Sequence, residues 1–105
     1  MIQTPKIRLS PREIEVIRKT VVRLLGNRTS IRIFGSRARL DEKGGDIDIL
    51  VETDHHLINR MATTCRLTSE LQMQLGDQKM DIILTEPGMR EQLIHKIARQ
   101  TGVIV

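Results

Sequence analysis

Aromatic side chains are almost missing from this sequence: Phe34 stands alone, with no tyrosine or tryptophan among 105 residues. Reading single-stranded RNA or DNA relies on rings against which bases stack, so no direct nucleic-acid partner is expected. Cysteine is equally scarce. Cys65 has no second cysteine to pair with, which excludes an internal disulfide, and its place in an apolar helical pattern predicts a core thiol. No apolar run approaches the roughly 20 residues of a membrane span, and the N-terminus lacks the apolar segment of a signal peptide. The expectation is a cytoplasmic protein without membrane contact. Repeats, low-complexity stretches and internal linkers are absent too, which predicts one compact domain over residues 1–105.

Charge is present and unevenly placed. Through Lys43 there are 11 basic and 4 acidic side chains, and from Gly44 onward 6 and 9. A basic front half is either an ordinary solvated face or an attraction for a triphosphate or an acidic partner.

Local signals divide the chain into alternating elements. Ser10-Pro11-Arg12-Glu13 reads as a capped helix start, followed by Ile14, Ile17, Val21, Leu24 and Leu25 at helical spacing and closed by Gly26-Asn27. Ile31 to Phe34 predicts a short strand entering Gly35-Ser36, then one helical turn to about Leu40 and a Gly-rich turn over Asp41 to Gly45. Asp46 to Glu52 predicts a second strand and Leu57 to Leu75 a helix with Leu57, Met61, Cys65, Leu71 and Leu75 on one side. A third strand is expected over Lys79 to Thr85. A last helix is expected from Pro87-Gly88, with Met89, Leu93, Ile94, Ile97 and Ala98 facing inward and His95 outward. Val103-Ile104-Val105 reads as a short edge strand. The fold class is therefore α+β, a small mixed sheet packed by helices.

Within this frame two carboxylates occupy an apolar strand. Asp46 and Asp48 are two residues apart and so share a face, while Ile47 and Ile49 point the other way. Two like charges so close call for a cation, and a pair of Mg²⁺ ions suits an all-oxygen donor set. Asp81 lies in the third strand, and if that strand pairs beside the second, three carboxylates converge as in two-metal displacement at phosphorus. Just upstream, Gly35 lets a phosphate approach the backbone and Ser36 adds a hydroxyl. Arg37 and Arg39 are too close in sequence to share one helical face. His55, His56 and His95 lack a ligand constellation and read as ordinary polar residues. Glu52 and Asp54 read as strand-end solvation, and Val16, Val22 and Met73 as apolar residues off the main stripes.

Gly35-Ser36-Arg37-Ala38-Arg39 with Asp46-x-Asp48 and the later Asp81 resembles the minimal nucleotidyltransferases of the DNA polymerase β-like superfamily, and the element order over residues 10–105 resembles theirs. The resemblance implies that Asp46 and Asp48 bind two Mg²⁺ ions. It implies that Asp81 binds the catalytic one and helps activate an acceptor hydroxyl, and that Gly35, Ser36 and Arg39 hold the triphosphate of ATP. One departure is visible: Gly45 stands where the family usually has serine, which removes a supporting hydroxyl. Stand-alone members are commonly antitoxins paired with a helical HEPN-domain ribonuclease toxin, and several are thought to transfer AMP to its tyrosine. The chain has no tyrosine of its own to modify. Two other readings stay open: an antitoxin that neutralises its partner by covering it, and nucleotidyl transfer to a small molecule or an RNA end.

Overall fold

The computed structural model describes residues 7–41, 45–76 and 78–105. Helix α1 (Pro11–Leu25) begins as the sequence predicts. Ser10 Oγ accepts the Glu13 N–H at 3.1 Å, and the Glu13 carboxylate accepts the Ser10 N–H at 2.9 Å. Two orphan donors of the first turn are thereby satisfied. After Gly26 the chain enters β1 (Ser30–Phe34), a 3₁₀ turn (Gly35–Ala38), β2 (Ile47–Glu52), α2 (Arg60–Leu75), β3 (Met80–Thr85), α3 (Leu93–Thr101) and β4 (Val103–Ile104). Residues 42–44 of the expected Gly-rich turn lie outside the described residues.

The sheet order is β3-β2-β1-β4, with β1 antiparallel to β2 and β4 and β2 parallel to β3. Strand alternation then sorts the side chains. Ile33, Ile47, Ile49, Val51 and Leu84 face α1 and α2 and form the main core with Ile17, Val21, Leu67 and Leu71. Burying each such side chain contributes about 1.5–3 kcal/mol. The two helices are joined at their outer edge by Arg23 and Glu70 at 2.8 Å, and below it by the Gln74 amide donating to the buried Thr20 hydroxyl at 3.0 Å. The opposite face carries α3, whose Ala98 joins Phe34 and Leu50 of the sheet in a second, smaller cluster. No helix among the described residues is long and apolar enough to cross a membrane.

Two helices differ from the sequence expectation. α2 starts at Arg60 on an Asn59 cap, not at Leu57. Its inward stripe is Leu67, Leu71 and Leu75, which leaves Met61 and Cys65 exposed. Leu57, Met61 and Cys65 share a four-residue spacing, but Cys65 and Leu67 are two residues and so about 200° apart around the helix, which puts Met61 and Cys65 on the side away from the core. α3 starts at Leu93, after a turn at Pro87-Gly88, and is rotated relative to expectation. His95 and Ala98 are buried, whereas Leu93 is 73% and Ile97 41% exposed. The cause lies on the sheet: Glu52 accepts from Arg99 at 2.7 Å and from Arg32 at 2.8 Å, so the polar side of α3 is drawn inward. Glu52 is accordingly the hub of an ion-pair group, not a solvated strand end.

Candidate active site

The parallel register sets Asp48 directly opposite Asp81, so the two carboxylates leave the same face of the sheet at the same height. Asp46 precedes β2 by one residue. The Ile47 N–H donates to the Lys79 carbonyl at 2.9 Å and continues the ladder to this end. From the other side Phe34, the last residue of β1, pairs with Asp48, and Gly35-Ser36 follows at once. The sheet thus brings together the acids at the starts of β2 and β3 and the turn at the end of β1. Sequence reasoning placed Asp46 inside the strand; it stands at its threshold.

Electrostatics match this crowding. Burial pushes the half-buried Asp48 carboxyl above the usual carboxylate range, and the charges of Asp81 and Asp46 push it further. Among the described residues no three His, Cys, Asp or Glu side chains are gathered into a ready metal cage. The donor set still suits a hard cation: it is oxygen only, its members repel one another, and Asp81 is exposed to incoming ligands.

The turn is built by close approach. Gly35 has φ +68°, and a Cβ there would overlap Asp48 Oδ2. Gly45 has φ +90°, and a Cβ there would overlap Ser36 Oγ. Gly45 is therefore required by Ser36, whose hydroxyl occupies the space next to the first acid.

Two further side chains hold the turn: Arg37 from the motif itself, and Arg8, which no motif marked. Arg8 donates to the Ser36 carbonyl and the Arg39 carbonyl, each at 2.7 Å. Arg37 donates to the carbonyls of Arg8 at 2.8 Å and Gly45 at 3.3 Å and to the Gln78 amide oxygen at 3.3 Å. Gln78 in turn donates to Glu13 at 3.0 Å. Burial raises the Glu13 carboxyl, but hydrogen bonds from the Ser10 backbone, Gln78 and the Ser10 hydroxyl, with the Arg37 charge, hold it below its ordinary value. Arg37 is thus a structural tie, and Arg39 is the exposed arginine at the exit of the turn.

The other polar candidates lie elsewhere. His95 accepts the Gln92 N–H through Nδ1 at 3.1 Å, and with Glu52, Glu86 and Arg99 it lines a 250 Å³ pocket at the far ends of β2 and β3. His55 and Asp54 pair with each other at 3.1 Å on the surface.

The sequence profile described as the nucleotidyltransferase domain matches residues 14–102. The chain belongs to this family. Its α+β fold, with a mixed sheet packed by helices, agrees with that membership, and the protein is a transferase. The matched span of the nucleotidyltransferase includes the Gly35-Ser36 turn and all three acids. A search among curated proteins gave no significant match.

Proposed function

We propose that this nucleotidyltransferase uses Mg²⁺ and moves AMP from ATP onto a tyrosine hydroxyl of a partner protein, a HEPN-domain ribonuclease toxin for which it is the antitoxin. The observation that supports the reading is the register of Asp48 against Asp81, with Asp46 beside them and the Gly35-Ser36 turn adjoining. The resemblance to stand-alone members of the superfamily supports the partner class. Because the chain has no tyrosine, a tyrosine acceptor belongs to another molecule.

Asp46, Asp48 and Asp81 would hold the Mg²⁺ ions, which when bound stabilise charge on the entering and leaving oxygens. The residues of the chain supply the rest. Gly35, Ser36 and Arg39 fix the β and γ phosphates. Asp81 accepts the acceptor proton and passes it to solvent. The acceptor oxygen then bonds to the α phosphorus as the bond from that phosphorus to the bridging oxygen breaks, and pyrophosphate leaves with the electron pair. Holding both reactants on one sheet end makes the displacement effectively intramolecular.

The test is label transfer from α-labelled ATP to the co-expressed partner in Mg²⁺. Asp46→Asn and Asp48→Asn are each expected to lower transfer by about 100-fold or more while the fold persists. Equal labelling by wild type and the double variant would refute the role. Full neutralisation by the variants, with no added mass on the partner, would favour an antitoxin acting by occlusion.

A further inference from the structure

β3 is the outermost strand on its side of the sheet, and among the described residues nothing pairs with its outer edge. Register decides which backbone groups that edge presents. Ile47 donates to the Lys79 carbonyl and Thr53 to the Thr85 carbonyl, so residues 79, 81, 83 and 85 turn their backbone groups toward β2. Met80, Ile82 and Leu84 therefore turn theirs outward. One outward carbonyl has a partner: Arg60 of α2 donates to Leu84 O at 3.3 Å. Ile82 makes no comparable bond among the described residues.

Along this edge runs a groove of 310 Å³, walled by Arg60 and Thr64 of α2 on one side and by Gln92 and Ile94 at the start of α3 on the other. Ile82 and Ile83, which point to opposite faces of the sheet, both line it, so it follows the strand edge and neither face alone.

The geometry points to this groove as the docking site of an extended segment of the acceptor protein, which adds to the sheet as a strand beside β3. Alternating N–H and C=O groups at strand spacing are recognised by another peptide backbone. A phosphate backbone is a poorer fit, because Arg60 is the one arginine or lysine that lines the groove and its guanidinium is turned onto Leu84 O. The groove adjoins the acids along β3, where Ile82 of its lining follows Asp81. A residue added opposite Asp81 would lie about 4.8 Å away across the ladder, with its side chain on the face that carries Asp48 and Asp81. A hydroxyl-bearing side chain would thus be delivered to the acids by strand register. The significance of Asp81 in this argument rests on the transfer reading above; the docking itself does not.

The probe is an acetylated, amidated hexapeptide, Val-Thr-Tyr-Thr-Val-Thr, added to the ¹⁵N-labelled chain. Two further copies of it are N-methylated on alternate residues, one on each edge. Amide exchange at Ile82 and Leu84 is expected to slow by about fivefold with the parent peptide at millimolar concentration. One methylated copy should reproduce this and the other should not. Thr64→Arg, which fills the groove from an α2 position already part-exposed, is expected to abolish the protection and leave the thermal midpoint unchanged. Equal behaviour of both methylated copies, protection confined to other elements, or no protection at Ile82 and Leu84 would each overturn the proposal. Edge-specific protection without label transfer to the tyrosine would support docking and count against the transfer reading, so the two can fail separately.

Discussion

The two faces of the sheet are made of the same four strands and are used in opposite ways. On the α1/α2 face Ile33, Ile47, Ile49 and Val51 have no exposed surface and belong to the main apolar core. On the α3 face the positions between them hold Asp48, Leu50, Glu52, Asp81 and Ile83, and only Leu50 is fully buried. A nine-residue helix covers that face in part and turns Leu93 and Ile97 to solvent. Cohesion and chemistry are thus separated by the period of two along a strand. The repulsion among Asp46, Asp48 and Asp81 is tolerated because the other side of the same strands is saturated with apolar contact.

The sharpest break of this comparison is at Ile49. Ile49→Ala is expected to cost about 2–5 kcal/mol in a urea titration, as lost burial plus the cavity left behind. A loss below 1 kcal/mol would deny that this face holds the fold. Next is Gly35→Ala. The left-handed backbone alone costs roughly 1–2 kcal/mol, and the overlap with Asp48 Oδ2 adds to it. In that background Asp48→Ala should recover part of the stability but no transfer activity. If recovery is absent, the close approach of turn and acid is not what constrains residue 35.

Asp48→Asn reverses the sign. Because the folded carboxyl titrates above its ordinary value, its ionised form opposes folding. That penalty is absent below the unfolded carboxylate pKa and is complete once the pH has risen past the folded one. The variant should therefore melt a few degrees higher than wild type at neutral pH, with the gain fading as the pH falls through the carboxylate range. Melting curves at several pH values test this, and a gain that persists in acid would refute the electrostatic account. The smallest effect is expected at Ile97→Ala on the exposed side of α3, within about 0.5 kcal/mol. A larger loss would show that this face contributes to cohesion after all.

Much of this was legible from local pattern. The Ser10–Glu13 cap, the strand ending in Gly35-Ser36, the order of the elements and the pairing of β3 beside β2 follow from spacing and short connections. So does the shared face of the acids. Three features were not legible. Leu93, Ile94, Ile97 and Ala98 form an apolar arc on α3, yet the charged pair Arg32 and Glu52 on the sheet attracts the other side of the helix. Met61 and Cys65 repeat at four-residue spacing on α2, yet the side that meets the sheet carries Leu67, Leu71 and Leu75. Arg8 and Gln78 reach the turn from segments 28 and 41 residues away from Ser36 and Arg37, with no motif to mark them.

The sequence by itself determined the kind and order of the helices and strands and that Asp46 and Asp48 stand together, because these follow from backbone periodicities that span a few residues. Tertiary structure decided which way α3 turns, why residue 45 is glycine, and that Asp81 sits opposite Asp48. Each of those depends on side chains far apart in the chain meeting across strands, where space and charge are settled by the partner and not by the local pattern.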